Sequence, residues 1–357
     1  MTAIEPLWLQ HAFGSPRAFG PVLGSGVLRA HPEDFLVEEE LGFAPAGTGQ
    51  HVLLKVRKRD ANTQWVAREL AKVCRCRPLD VGYAGLKDRR AVAIQWFSVP
   101  RPPQRTGAWP QTPDGTWPRT AEFEVLEAHA HTRKLPRGAL AGNSFTIRIR
   151  EVSAGDLTER IMLVSERGVP NYFGPQRFGR EGSNLLRINA GLGALRPQER
   201  GFVLSAARSL IFNAVLAERV RDGSWEHLQP GDVANLDGSG SVFRVDAVDE
   251  TLRERCQRLD IHPTGPMWGR GQLTSQGRIA EVESKVSAQL PAAVELVEQA
   301  GMEQERRSLR VVVHNVAWTQ ESATTVVLRF RLSRGSFATT VLREILDVSG
   351  ATEEGEG

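Results

Sequence analysis

The chain has 357 residues, enough for two domains of ordinary size, and its 41% hydrophobic and 24% charged content excludes a largely disordered polymer. A net charge of +3 excludes a wholly basic coat, yet cations cluster at Lys55 to Arg59, Arg75 to Arg77, Lys87 to Arg90 and Arg133 to Arg137. Local basic patches on a nearly neutral chain fit a polyanion-binding cleft. Cys74, Cys76 and Cys256 are odd in number and lack zinc spacing, so a reducing compartment and no metal site are expected. The N-terminus has neither the cationic start nor the apolar run of a signal peptide. No stretch reaches the ~20 apolar residues of a membrane span. A cytoplasmic protein without a membrane partner is expected.

In chain order, residues 1 to 25 read as an irregular arm carrying Trp8, Phe13 and Phe19. Leu28 begins a short strand, Pro32 breaks it, and Phe35 and Val37 alternate with acids as a second strand would. The run Glu38-Glu39-Glu40 is expected to be a solvated strand edge. Gln50 to Val56 looks like a further strand, and Asn62 or Thr63 caps a helix with Trp65, Val66, Leu70 and Val73 at helical spacing. Val81 to Val92 then reads as strand, Gly-bearing turn and charged loop, leading into the strand Ile94 to Val99. In that loop Asp88 stands among Lys87, Arg89 and Arg90, and nearby cations keep a carboxylate charged. An ionised carboxylate suits a nucleophile or a base; an acid neutralising a solvated basic turn gives the same local pattern.

Residues 100 to 120, rich in Pro, Gly, Thr and Gln with Trp109 and Trp117, predict an inserted loop. Phe123 to Leu126 and Ser144 to Arg150 resume the sheet, the latter with Phe145, Ile147 and Ile149 facing one way. Between them lies the basic loop His131 to Asn143. A helix is predicted from Asp156 to Gly168. Character changes at the aromatic, turn-rich run Val169 to Gly179, after which helices dominate. A long one covers about Arg200 to Arg221, a hairpin turns at Asp237-Gly238-Ser239-Gly240, Ile261 to Gly269 reads as an irregular loop, and a second long helix spans Gln276 to Ala300. Strands return at Leu309 to Val316 and Thr324 to Leu332, and a final helix is expected with its cap at Ser336. Residues 351 to 357 form an acidic tail. Sheet, helical block, sheet is the pattern of one domain inserted in another, here 169–308 within 1–168 and 309–350.

Five stretches together resemble the TruD-type tRNA pseudouridine synthases. They are Pro32-Glu33-Asp34-Phe35-x-Val37-x-Glu39, Ala84-Gly85-Leu86-Lys87-Asp88, Gly142-Asn143-x-Phe145, Pro170-Asn171-Tyr172-Phe173-Gly174-x-Gln176-Arg177-Phe178-Gly179 and Gly335-Ser336-Phe337-Ala338-Thr339. The resemblance implies an α/β (α+β) pseudouridine synthase fold with a mixed, largely antiparallel sheet and an inserted, mainly helical TRUD domain. It implies isomerisation of uridine in tRNA, at D-arm position 13, without metal or organic cofactor. By the same carry-over Asp88 is catalytic, Arg29 pairs with it, and Phe35, Asn143 and Phe337 contact the flipped uridine. Lys87 is placed among the substrate-binding residues beside them, and for Phe145 base stacking and core packing stand level. Ala93 and Ile94 depart from the residue types frequent in the family after the catalytic loop. In the insert, Arg177, Arg180, Arg208 and the Glu305-Arg306-Arg307 stretch are expected to clamp RNA, and the protein is expected to be a monomer. Two other classes compete: a catalytically idle RNA-binding or chaperone paralogue, and a hydrolytic N-glycosidase.

Overall fold

The computed structural model describes residues 4–101 and 119–349. The Pro-rich segment with Trp109 and Trp117, and the acidic tail, fall outside the described residues. The first part of the chain forms α1 (Pro6–Phe13), β1 (Ser25–Leu28), β2 (Phe35–Leu41), β3 (His51–Arg59), α2 (Thr63–Val73), β4 (Gly82–Tyr83), β5 (Val92–Pro100), β6 (Phe123–His131), β7 (Leu140–Arg150) and α3 (Thr158–Arg167). Next come β8 (Val169–Pro170), α4 (Ser183–Ile188), α5 (Pro197–Arg221), β9 (Val233–Leu236), β10 (Val242–Arg244), α6 (Glu250–Gln257), β11 (Ile261–Met267), α7 (Gly277–Ser287), α8 (Pro291–Gln299), β12 (Glu305–Ser308) and β13 (Arg310–Val311). The chain closes with β14 (His314–Ser322), β15 (Thr325–Ser333), α9 (Ala338–Ile345) and β16 (Asp347–Ser349).

Ten strands make one mixed sheet in the order β14-β15-β7-β2-β5-β3-β6, with β1 beside β7 and β16, and β4 on β5. Neighbours are antiparallel except β2 with β5 and β1 with β16. Strand alternation explains the core: Phe35 and Val37 of β2 lie opposite Ile147 and Phe145 of β7, so all four side chains share one buried face. The predicted mixed, largely antiparallel sheet is present. A second core gathers around α5, which is buried along most of its length. By length and composition α5 alone among the described helices could cross a bilayer, against the expectation from sequence; its burial is that of a core helix.

Several local expectations are corrected. The N-terminal arm contains α1, whose Trp8 and Ala12 pack into the helical core rather than onto the sheet. The stretch from Ile261 is not a loop but β11, paired with β9 and β12. Its prolines remove donors only; the Pro263 carbonyl still accepts from the Leu309 amide at 2.9 Å. The long helix expected over 276–300 is two helices, because Pro291 can start a helix but not continue one. The last helix begins at Ala338 with Phe337 at its N-cap and no side-chain cap bond. The acidic run is no solvated edge: β2 lies between β7 and β5, Glu39 is buried, and Glu40 accepts from Ser144 at 2.6 Å and Arg331 at 2.5 Å.

Candidate active site

Asp88 lies in the loop between β4 and β5, and polar side chains from other elements hold the main chain of that loop. Lys58, fully buried near the end of β3, donates from Nζ to the carbonyls of Ala61 (2.6 Å), Asp88 (2.7 Å) and Lys87 (3.2 Å). Thr63 Oγ1 accepts from the Lys87 amide at 3.0 Å and donates to Gln95 Oε1 at 3.0 Å. Gln95 in turn donates to the Gly85 carbonyl at 2.6 Å. The Lys87 ammonium turns to buried Glu39 at 2.5 Å, while the other Glu39 oxygen accepts from the Trp96 amide at 3.0 Å. Desolvating an ammonium is costly, so a lysine without solvent exposure requires several well-placed acceptors.

Arg29 follows β1 with φ at 59°, a left-handed conformation that costs a non-glycine residue about 1–3 kcal/mol. Its guanidinium carbon lies 4.2 Å from the centre of the Phe35 ring, and Nη2 makes an ion pair with Asp88. Arg29 is buried, whereas the Asp88 side chain keeps 37% of its surface exposed, so the cation backs a carboxylate that solvent or substrate can reach. Between Arg29 and Phe35 the chain is pinned by Asp34. Burial raises the Asp34 carboxyl, but bonds from Arg150 at 2.8 and 2.9 Å and from the His31 amide prevail and hold it below the usual carboxylate range.

Removing a charge-assisted hydrogen bond costs about 1.5–3 kcal/mol. If Asp88 carries the chemistry expected from the sequence, Arg29→Met should turn over roughly 100-fold more slowly, at about 1.4 kcal/mol per tenfold. Arg29→Lys keeps the charge and should retain much of the rate. Full activity in Arg29→Met, read from initial rates at saturating substrate, would remove Arg29 from that chemistry.

Phe35 itself is 3% exposed and meets Phe145 edge-on at 6.0 Å. Phe145 is also buried and packs on Phe330 at 5.4 Å, which favours core packing over base stacking for this residue. Asn143 lies opposite Glu39 in the sheet, on the face crossed by the Lys87–Glu39 ion pair. Its Oδ1 is buried and has no hydrogen-bond partner among the described residues. β15 runs out of the sheet beside it, with Leu332 opposite Asn143, and the turn through Gly335 (φ 79°) delivers a half-buried Phe337. The loop of Asp88, the strand of Asn143 and the turn before Phe337 thus carry an exposed carboxylate, a buried amide oxygen without a partner among the described residues, and a half-buried aromatic ring.

The family model of tRNA pseudouridine synthase D (TruD) matches residues 23–190 and 184–345. The chain belongs to this family. It is 44% identical over 334 residues to the tRNA pseudouridine synthase D of Nitrosococcus oceani, covering 91% of this chain and 92% of that one. It is 43% identical over 338 residues to that of Methylococcus capsulatus, covering 93% and 94%. A Methanosarcina mazei crystal structure assigned to TruD superposes with a TM-score of 0.69 at 20% identity, over 97% of this chain and 98% of that one, which shows a shared fold.

Lys58, Glu39, Thr63 and Gln95 were not among the site residues expected from the sequence. For Lys58 a signal existed: β3 alternates, so Lys58 falls on the face of Val52, Leu54 and Val56 while Arg57 and Arg59 point out. A lysine on an apolar face asks what it binds. Two of the expected RNA clamps are corrected. Arg208 is buried, bonding the carbonyls of Met267 (2.5 Å) and Glu303 (2.9 Å), with Glu305 at 3.2 Å. Arg306 pairs with buried Glu283 at 2.8 Å. Both tie the insert to itself, because a guanidinium next to its own carboxylate has little charge left for a phosphate. Arg180 is exposed.

Proposed function

We propose that this protein isomerises uridine to pseudouridine in tRNA, at D-arm position 13. The observation that carries the reading is the exposed Asp88 carboxylate backed by buried Arg29, on the sheet face that also carries the unpartnered Asn143 oxygen. The reaction breaks the N1–C1′ bond, turns the uracil and joins C5 to C1′; C5 loses a proton and N1 gains one. The base must be freed yet kept. A target inside stacked RNA is first flipped out at a cost of a few kcal/mol. Phe337 offsets part of that by stacking, worth about 1–3 kcal/mol per base. Asn143 Oδ1 accepts from an imide N–H of the uracil, and that bond resists loss of the detached base. Asp88 works as an ionised group on the ribose or the base, with Arg29 fixing its charge and direction. Phe35 and Lys87, expected against the substrate, are given other roles in this reading: Phe35, 3% exposed, lies against the Arg29 guanidinium, and Lys87 sets the loop through Glu39.

In this reading the sheet body of 1–168 and 309–350 carries the chemistry, and the inserted body of 169–308 holds the tRNA. The protein acts as a monomer in the cytoplasm, where its substrate is, and needs neither metal nor organic cofactor. The test is incubation with unmodified tRNA transcripts followed by carbodiimide treatment and primer extension. A stop at position 13 is expected, with no free uracil. Free uracil would make the protein a glycosidase. Tight binding without any stop would make it an RNA-binding relative.

A further inference from the structure

The motif Asn171 to Gly179 lies outside the catalytic loop, and its polar residues build a second feature. Phe173 is clamped through its own peptide: its amide donates to Asn213 Oδ1 at 2.9 Å, and its carbonyl accepts from Asn213 Nδ2 at 3.0 Å. Two guanidiniums lie against that fixed ring, Arg307 at 4.3 Å and Arg177 at 5.3 Å from its centre. Arg307 donates to Asn171 Oδ1 at 2.6 Å, and Asn171 is held by the Ser308 carbonyl at 2.8 Å. Arg177 donates to Ser205 Oγ at 3.0 Å. All of these acceptors are neutral. Among the described residues neither arginine makes an ion pair with a carboxylate, unlike Arg167, Arg219 and Arg306, which pair with Glu226, Asp232 and Glu283. Burial, and then the neighbouring Arg177 charge, pull the Arg307 guanidinium down to about 10, and burial alone pulls Arg177 down. Two like charges held together with no counter-charge are unfavourable unless an anion joins them.

The position of the pair narrows what that anion is. Arg307 also donates to the Gly335 carbonyl at 3.3 Å, in the turn that delivers Phe337. Both arginines keep part of their surface open. Planar guanidiniums suit the oxygens of a phosphodiester, and contacts to the phosphate backbone carry no base preference. We infer that Arg177 and Arg307, mounted on Phe173, form a phosphate-binding site for the RNA backbone beside the flipped nucleotide. This rests on the reading of the protein as a tRNA-modifying enzyme.

The test measures tRNA affinity against salt, with Asp88→Asn as the common background so that substrate is not consumed. Each phosphate that the protein no longer neutralises lowers the slope of log K against log salt by about 0.7–1. Arg177→Gln with Arg307→Gln is expected to weaken binding about 10-fold at moderate salt and to lower the slope by about 1–2, equally for different tRNAs. Arg177→Lys and Arg307→Lys should keep most of the slope. Arg177→Gln alone, which gives up one bond to Ser205, should lower it by about 1 and decides the matter if the Arg307 variant does not fold. An unchanged slope in a folded Gln variant overturns the site. Wild-type protein is assayed in parallel for pseudouridine: if it makes none but binds tRNA, the isomerase reading fails while the slope still decides the phosphate site. If it neither modifies nor binds tRNA, both fall.

Discussion

Asp88→Asn is expected to abolish pseudouridine formation, lowering kcat by at least about 10³-fold, while tRNA affinity stays within a few-fold of wild type. The amide has nearly the volume of the carboxylate and can still accept from Arg29, so the loop has no steric reason to move. It lacks the charge and the lone-pair basicity that attack or proton abstraction requires. Lys58, Thr63 and Gln95 hold the loop through its carbonyls and the Lys87 amide, and these bonds are independent of which side chain stands at position 88. A clean loss of turnover with unchanged melting temperature is therefore the expected signature, measured by single-turnover kinetics and calorimetry. Wild-type rates in Asp88→Asn would leave the fold and family standing and move the chemistry to another residue.

Lys58→Met should be the most damaging change away from the reacting groups. Methionine fills the same buried space but leaves the carbonyls of Ala61, Lys87 and Asp88 without their ammonium donor. An unsatisfied buried polar group costs about 1–3 kcal/mol, so a loss of roughly 3–5 kcal/mol is expected for the set after some relaxation toward water. At about 2–4 °C per kcal/mol for a domain of this size, the melting temperature should fall by about 10 °C. Activity should fall more than stability suggests, because a misplacement of about 1 Å at a reacting group can cost 10²-fold. The readout that separates positioning from mere stability is kcat well below the melting transition. A depressed kcat with unchanged tRNA affinity supports positioning, whereas wild-type kcat in folded Lys58→Met would reduce Lys58 to a structural residue. Lys58→Arg, which keeps charge but not shape, should recover stability better than rate.

Much of the frame was legible in the residues. Period-two alternation at Phe145, Ile147 and Ile149 marked β7, and helical spacing around Leu210 marked α5. The five motifs named the family, and Asp88 stood out as an acid among cations. The local run could not tell which cation faces Asp88; the family resemblance pointed to Arg29, and the ion pair is present. Lys87, next to Asp88 in the chain, is tied to Glu39, while Arg29, far away in sequence, pairs with the carboxylate.

The acidic run of β2 shows why. Three acids in a row read as a wet edge only while the neighbours of the strand are unknown; once β7 and β5 flank it, Glu39 and Glu40 must find cations and hydroxyls. The arginines of the insert make the same point. Among the described residues Arg208 and Arg306 have carboxylates within reach, and Arg177 and Arg307 do not. Periodicity and motif are local properties and survive in a bare sequence, so element types and family followed from it. Charge pairing and burial depend on distances between residues remote in the chain. Only the tertiary structure decided which of these charges are paired inside the protein and which, among the described residues, have no carboxylate beside them.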